Sequence, residues 1–78
     1  RVLGIAARAI GRGDDPAAAL AEAEASLEAA GFAVDYVALV DAETLGTEPE
    51  AGRPRRLLAA ARMGATRLID NIAVDDGQ

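Results

Sequence analysis

The chain has 78 residues, a hydrophobic content of 51% and a formal net charge of −5, and it contains neither cysteine nor histidine. This length predicts one small domain over residues 1–78 with a thin core, because so short a chain buries only about 60–65% of its unfolded surface. The composition excludes a disulfide framework, a thiolate nucleophile, and histidine as general base or metal ligand. The acidic balance argues against a nucleic-acid partner, and the lack of a long apolar run argues against a membrane span.

The sequence also lacks the features of a targeting segment. No charged segment followed by an apolar segment is present at its start, so we expect a cytoplasmic protein. Because the sequence begins at Arg1 without methionine and within a helical pattern, we interpret it as a fragment of a longer chain.

Apolar residues at helical spacing predict two helices in the first part of the chain. The first runs from Val2 to Ile10, and its predicted buried face consists of Val2, Ile5, Ala6, Ala9 and Ile10. The second begins with Pro16 behind Asp15 as its N-cap, and it runs to about Ala30. Its predicted buried stripe consists of Leu20, Ala23, Leu27 and Ala30.

A glycine separates the second helix from the first predicted strand. We expect Gly31 in the left-handed conformation just past the helix end, with Phe32 folded back onto Leu27. The strand covers residues 34–41, and because both of its sides are apolar we expect both to be at least partly covered. One side carries Val37 and Leu39, and the other carries Val34, Tyr36, Ala38 and Val40.

The segment after this strand is predicted to be irregular. Asp41 is expected to accept hydrogen bonds from the backbone amides that follow it and so to turn the chain. Residues 46–54 read as a solvated loop because glycine and proline lie at both ends, and residues 75–78 read as a frayed tail.

Two apolar runs flank Gly64-Ala65, a dipeptide typical of a type II′ hairpin turn. A hairpin of residues 57–63 with 66–73 places Arg62 opposite Arg67 and turns one face of the hairpin toward the core. The pairs on that face are Leu57 with Ile72, Ala59 with Asp70 and Ala61 with Leu68, and those on the other face include Leu58 with Asn71 and Ala60 with Ile69. Propensity alone does not decide between a strand and a helix for residues 57–63. This first run is rich in leucine and alanine, so a helix is about as favourable there as a strand.

Two segments resemble the carboxy-terminal domain of the pantothenate synthetase (pantoate–β-alanine ligase) family: VDYVALVDAETL at 34–45 and RRLLAAARMGATRLIDNIAV at 55–74. That family has a Val-Asp-Tyr strand followed by an Asp-x-x-Thr-Leu turn, and later a strand, a glycine-containing turn and a segment like residues 66–71. The resemblance covers residues from about 17 to 75 and implies that residues 57–63 form a strand. We therefore expect an α+β fold of two helices packed on a small three-stranded antiparallel sheet.

The resemblance implies that the chain is the carboxy-terminal lid domain of a longer enzyme. The parent is expected to condense pantoate and β-alanine with ATP and magnesium, through a pantoyl-adenylate, to give pantothenate. Its amino-terminal nucleotide-binding domain, which carries a His-x-Gly-His motif, is the expected partner. Because the present sequence has no histidine, no catalytic, cofactor-binding or metal-binding residue of the family carries over to it, and we expect no activity from this chain alone.

Two alternatives from other functional classes stay open. One is a protein–protein interaction module without an attached enzyme. The other is a self-associating domain that forms a homo-oligomer through an exposed edge of the short sheet.

Four arginines stand out in the predicted hairpin segment of this acidic chain: Arg55, Arg56, Arg62 and Arg67. One explanation is ion pairing within the domain, with Asp35, Asp41 or Glu43 as partners. The other is contact with an anionic surface, on the neighbouring domain or on a phosphate-bearing ligand.

Three further groups have both a structural and a chemical interpretation. Asp70-Asn71 resembles a pair in the family and is expected to fix backbone amides. Gly11-Arg12-Gly13 could cradle a phosphate, although it lacks the preceding strand and the lysine of known phosphate loops. Asp14-Asp15 could bind a metal, but adjacent acids before a helix more often complement the helix dipole.

Overall fold

The computed structural model describes residues 2–50 and 52–74 and shows two helices followed by an antiparallel sheet. Helices α1 and α2 span Val2–Gly11 and Pro16–Ala29, and strands β1, β2 and β3 span Ala33–Asp41, Arg55–Met63 and Thr66–Val74. The strands lie in the order β1-β2-β3, so β2 is central. The predicted α+β fold of two helices on a three-stranded antiparallel sheet is confirmed.

Both helices pack on the same face of the sheet, which we call the core face. Helix α1 contacts α2, β3 and β2, whereas α2 contacts α1 and β1. The core between these elements is built mainly from small and aliphatic side chains, and Leu57 at its centre is completely buried. Neither helix within the described residues is long and apolar enough to cross a membrane.

The buried stripe of α1 differs from the predicted one. The buried residues are Leu3, Ala6, Ala7 and Ile10. The prediction is correct for Ala6 and Ile10 but wrong for Ile5, which is 63% exposed. Almost every residue of α1 is apolar, so the helical period fits several stripes equally well. Contact with α2 on one side and the sheet on the other selects the stripe that is buried.

The ends of α2 lie where they were predicted, but two details differ. Asp15 occupies the N-cap position in an extended conformation, yet its side chain makes no capping hydrogen bond. The buried residues are Ala19, Ala23 and Leu27, while Leu20 is only half-buried. Ala30, predicted to be buried, is exposed because it is the C-cap residue, where the chain leaves the helix.

The connection from α2 to β1 has the predicted capping geometry. Gly31 has φ of 102°, and its N–H donates to the carbonyl oxygen of Glu28 at 3.0 Å. The N–H of Phe32 donates to the carbonyl oxygen of Leu27 at 3.0 Å, which completes a Schellman motif. Phe32 is half-buried against the core, so this cap sets the direction in which β1 leaves the helix.

A β-bulge at Asp35 changes the predicted face of one residue in β1. Val34 pairs with Ala61 and Tyr36 pairs with Ala60, so Asp35 is the extra residue. A bulge interrupts the alternation of side chains, and Val34 therefore shares the core face with Val37 instead of lying beside Tyr36. The prediction that Val34 and Tyr36 share a face is wrong for this reason.

The hairpin of β2 and β3 has the predicted register, with Arg62 opposite Arg67 and Leu57 opposite Ile72. Gly64 begins its turn with φ of 60°, as a type II′ turn requires. Residues 57–63 form a strand despite their helical propensity, because β2 pairs with a strand on each side. Residues 46–50 and 52–54 form no helix or strand, as predicted for the loop, and the predicted tail at 75–78 lies outside the described residues.

Candidate functional site

A single carboxylate links the three strands at the hairpin end of the sheet. The Asp35 side chain, on the bulge of β1, lies 3.3 Å from Nη2 of Arg62 and 3.7 Å from Nη2 of Arg67. Arg62 and Arg67 face each other across β2 and β3. Like charges directly opposite destabilise a sheet, so Asp35 offsets a repulsion that the hairpin alone would carry. The intradomain explanation is confirmed for these two arginines.

The same arrangement leaves both arginines accessible. The Arg62 and Arg67 side chains are 56% and 58% exposed. Two guanidinium groups share one carboxylate, and this end of the sheet therefore keeps an excess of positive charge.

Arg56 is held on the same side of the sheet by Asn71. Its Nε and Nη2 atoms donate to Asn71 Oδ1 at 3.1 and 2.5 Å. The backbone N–H of Asn71 donates to Oδ1 of Asp70 at 2.8 Å. The Asp70-Asn71 pair thus fixes a backbone amide, as predicted, and also orients a guanidinium group.

The turn after β1 is organised by the carboxylate of Asp41, which is only 6% exposed. Its Oδ1 accepts from the N–H groups of Glu43 and Thr44 at 2.8 and 3.0 Å, which confirms the predicted turn. Its Oδ2 accepts from Nε of Arg53 at 2.8 Å. Arg53 was not among the predicted partners of Asp41, because nothing in the sequence distinguishes this loop arginine from the arginines of the hairpin.

These donors determine the protonation state of Asp41. They hold the pKa of its carboxyl well below the ordinary value of 3.8. The hydrogen bond from Arg53 is the largest cause, followed by those from Thr44 and Glu43. A perturbed carboxylate can mark a functional site, but the donors of Asp41 among the described residues belong to its own turn and loop. Its role is therefore to fix the backbone.

Arg55 lies away from the accessible arginines. It is buried, and the strand register places it between Asp41 and Val74 at the far end of the core face. This position brings Arg55 beside one of its predicted partners, although the ion pair of Asp41 is formed with Arg53. A buried guanidinium is not available to a ligand in this conformation.

The turn between the helices has neither the architecture of a known phosphate loop nor a cluster of metal ligands among its described residues. Gly11-Arg12-Gly13 begins at the last residue of α1 and does not follow a strand, and Arg12 Nη2 lies 3.1 Å from Asp14 Oδ2. Within residues 2–50 and 52–74, no three metal-ligating side chains come close enough together to hold an ion. The turn therefore connects the helices without a recognisable site.

The sheet face that lies opposite the helices, the outer face, combines apolar and basic residues. The register places Tyr36, Ala60 and Ile69 in one row, with Ala38, Leu58 and Asn71 in the next. Arg62 and Arg67 lie at one end of this face, and Arg56 lies at the other. We call the apolar residues between them the outer strip: Tyr36, Ala38, Leu58, Ala60 and Ile69.

A second apolar surface lies on the helix side of the sheet. It is a cleft of about 550 Å³ between the start of α1, the middle of α2 and the hairpin. Its lining is formed by Val2, Leu3, Gly4, Leu27, Ala59, Ala61, Leu68, Asp70 and Ile72. Asp70 is the charged side chain in this lining, so the cleft offers few groups that could orient a polar ligand.

The sequence model of the pantoate–β-alanine ligase family matches residues 1–73. The chain belongs to this family. It is 62% identical over 76 residues to the pantothenate synthetase of Rhizorhabdus wittichii, and the match covers 96% of this chain and 27% of that protein. It is 56% identical over 75 residues to the pantothenate synthetase of Paracoccus denitrificans, with 95% and 26% covered.

A solved member of the pantoate–β-alanine ligase family has the same fold over this region. The crystal structure of pantothenate synthetase from Thermus thermophilus matches with a TM-score of 0.77 and 37% sequence identity. The match covers 96% of this chain and 28% of that one. The chain thus spans about a quarter of the length of the family members that it matches.

The segments that carry the family resemblance coincide with the features that shape the sheet. Val34-Asp35-Tyr36 forms the bulge, Asp41–Leu45 forms the carboxylate-organised turn, and Thr66–Asn71 lies on β3. The bulge and β3 help to position Arg62 and Arg67 on the outer face, whereas the turn at Asp41 lies at the end of the core face. The sequence resemblance therefore marks features of both faces of the sheet.

Proposed function

We propose that this chain is the carboxy-terminal lid domain of a pantothenate synthetase. Its parent enzyme condenses pantoate with β-alanine at the expense of ATP, through a pantoyl-adenylate, to give pantothenate. The observation that carries this proposal is the agreement of both sequence and fold, over 96% of this chain, with about a quarter of longer family members.

The side chains of this domain support a role in closure and not in the chemistry itself. The sequence has no histidine, and all eight of its basic residues are arginines. The described residues bring no three metal-ligating side chains together, so they form no metal site made of protein ligands alone. We therefore assign ATP and magnesium to the amino-terminal nucleotide-binding domain of the parent, which is the partner of this lid.

The construction of the domain suits a lid that moves as one body. The Schellman motif joins α2 to β1, Asp35 ties the three strands together, and Asp41 fixes the turn before β2. Closure of such a body over the active site excludes water, which protects a reactive acyl-adenylate from hydrolysis until the amine attacks.

The test compares the intact enzyme, the enzyme truncated before this domain, and this chain alone. AMP release and pantothenate formation are measured in parallel. We expect no product from this chain, coupled AMP and pantothenate from the intact enzyme, and slower turnover with excess AMP from the truncated enzyme. Pantothenate from this chain alone, or full coupling without the domain, contradicts the proposal.

A further measurement tests the alternative of a self-associating domain. The outer strands β1 and β3 both have a free edge in the described sheet. Exposed edges can pair with another chain. A self-associating module predicts a stable oligomer of this chain at low micromolar concentration by sedimentation. The lid proposal expects a monomer under the same conditions.

A further inference from the structure

No helix packs on the outer strip, and its exposed part consists of Tyr36 and Ile69, because Ala60 between them is only 1% exposed. Both helices pack on the core face, yet Tyr36 is 44% exposed and Ile69 is 66% exposed on the opposite face. The two side chains flank Ala60 in one row of the sheet. Tyrosine is enriched in protein interfaces, where its ring can be buried while its hydroxyl group keeps a polar partner.

The charge of the outer face is opposite to that of the whole chain. Three arginines point to this side, namely Arg56, Arg62 and Arg67, and Asp35 is the one acidic residue among the described residues of this face. The face therefore carries an excess of positive charge in a chain of net charge −5. Asp35 and Asn71 hold the three guanidinium groups in place around the apolar strip, which lowers the entropy cost of pairing them with a partner.

This charge pattern argues against a second copy of the chain as the occupant. Two outer faces packed together would bring arginines against arginines, which opposes association. Packing the outer face on an acidic helix of another copy is a head-to-tail contact, and such contacts form rings or open filaments instead of closed pairs. An acidic partner of different structure fits both the sign of the charge and the apolar strip.

We propose that the outer strip is the surface by which this domain docks on the nucleotide-binding domain of the same enzyme. The partner surface is apolar at its centre and carries carboxylates opposite Arg56 and the Arg62–Arg67 pair. This inference rests on the proposed function, and it draws on the length of the family members, of which this chain covers only about a quarter. Interfaces between domains of one chain resemble transient protein–protein interfaces, in which an apolar centre is surrounded by a polar rim.

The experiment uses the intact enzyme and the reactivity of Tyr36 toward a nitrating reagent, read by mass spectrometry. Tyr36 is the only tyrosine of this domain, so its peptide reports on the outer strip alone. The central variant is Ile69→Asp, and its matched control is Ile5→Asp, because Ile5 is equally exposed but lies on α1. We expect Ile69→Asp to raise the nitration rate by about tenfold, as when an interface anchor is replaced by a charge, and Ile5→Asp to leave it unchanged.

A second variant guards against an effect of Ile69→Asp on folding. The double change Arg62→Gln and Arg67→Gln leaves the outer strip intact, removes the positive charge at one end and places no acid beside Asp35. We expect it to raise Tyr36 nitration, and in the unaltered enzyme we expect nitration to rise with salt because ion pairs are screened. Equal nitration in all variants, or protection of Tyr36 that is lost on dilution as for a second copy, overturns the proposal.

The outcome for docking is separable from the outcome for the proposed function. If the intact enzyme forms no pantothenate, the proposed function fails whatever the nitration rates are. If it forms pantothenate but Ile69→Asp changes neither Tyr36 nitration nor the ratio of AMP to pantothenate, only the docking surface is overturned.

Discussion

Among single residues, the Asp41 carboxylate combines burial with ionisation, because backbone amides and Arg53 stabilise its charged form. Its pKa is lowered in the folded state. Its contribution to stability is therefore complete above the ordinary pKa of 3.8 and is lost as the pH falls through the folded-state pKa. We expect Asp41→Asn to lower the melting temperature at neutral pH. Below pH 4 we expect this variant to lose less stability with falling pH than the unaltered chain does.

Thermal unfolding of both forms between pH 7 and pH 2 tests this expectation. Glu43→Gln is the matched control, because the Glu43 carboxylate accepts from Arg53 at 3.3 Å but is largely exposed. We expect this control to retain the acid dependence. Parallel pH profiles for the Asp41→Asn and unaltered chains would show that another carboxylate governs acid unfolding.

Gly31 and Gly4 differ in backbone conformation, so the same Gly→Ala change is expected to have opposite effects on stability at the two positions. Gly31 has φ of 102°, which is strained for any residue with a Cβ atom, so Gly31→Ala is expected to destabilise the chain by about 1 kcal/mol or more. Gly4 lies inside α1, and a Cβ atom there meets nothing within 4 Å. Gly4→Ala is expected to stabilise the chain by about 0.5–1 kcal/mol. Melting temperatures that shift in the same direction for both variants contradict this account.

At the scale of elements, features that depend on neighbouring residues in the sequence were predicted well. Features that depend on tertiary contacts were not. Once the family resemblance had indicated a strand at residues 57–63, Gly64-Ala65 defined the hairpin turn and the register of β2 and β3, because the side-chain period of a strand is two. The bulge at Asp35 gave no such signal, and one extra residue was enough to place Val34 on the wrong face. In α1 nearly uniform apolarity left the stripe to be decided by packing.

The three strands are coupled at the hairpin end through the ion pairs of Asp35. We expect Asp35→Asn to destabilise the chain by up to about 1 kcal/mol, since exposed ion pairs contribute little but the Arg62–Arg67 repulsion would then be unopposed. The loss should shrink at high salt. It should also vanish when Arg62→Gln and Arg67→Gln are already present.

Denaturant unfolding of the four forms gives the double-mutant cycle that measures this coupling. A loss that is the same with and without the arginines would mean that Asp35 acts through the shape of the bulge and not through charge.

For the whole molecule, the resemblance predicted the family, whereas the arrangement of the outer face required the structure. The four arginines of the hairpin were visible in the sequence, but their different surroundings in the fold were not. Arg55 is buried, Arg56 is held by Asn71, and Arg62 and Arg67 share Asp35. Which arginine faces which acid depends on the order of the strands and on the bulge, and both are set by contacts between residues far apart in the chain.

The core of this small molecule depends strongly on a single leucine. Leu57 is 0% exposed and lies in the row of Leu39 and Ile72, while several other residues of the core cluster are alanines, which are too small to fill a cavity. A Leu→Ala change in a core costs about 2–5 kcal/mol, and a chain of this length has a total stability of about 4–12 kcal/mol. We therefore expect Leu57→Ala to leave the chain largely unfolded or close to it.

Leu58 is the matched control, because it is the next residue on the same strand but lies half-buried on the outer face. We expect Leu58→Ala to cost less than half as much as Leu57→Ala in this chain, measured from denaturant midpoints at constant m-value. Inside the intact enzyme the difference should narrow, because docking of the outer strip would bury Leu58 as well. Equal losses in the isolated chain would mean that its sheet is already packed on both faces, and the outer strip would then not be free to receive a partner.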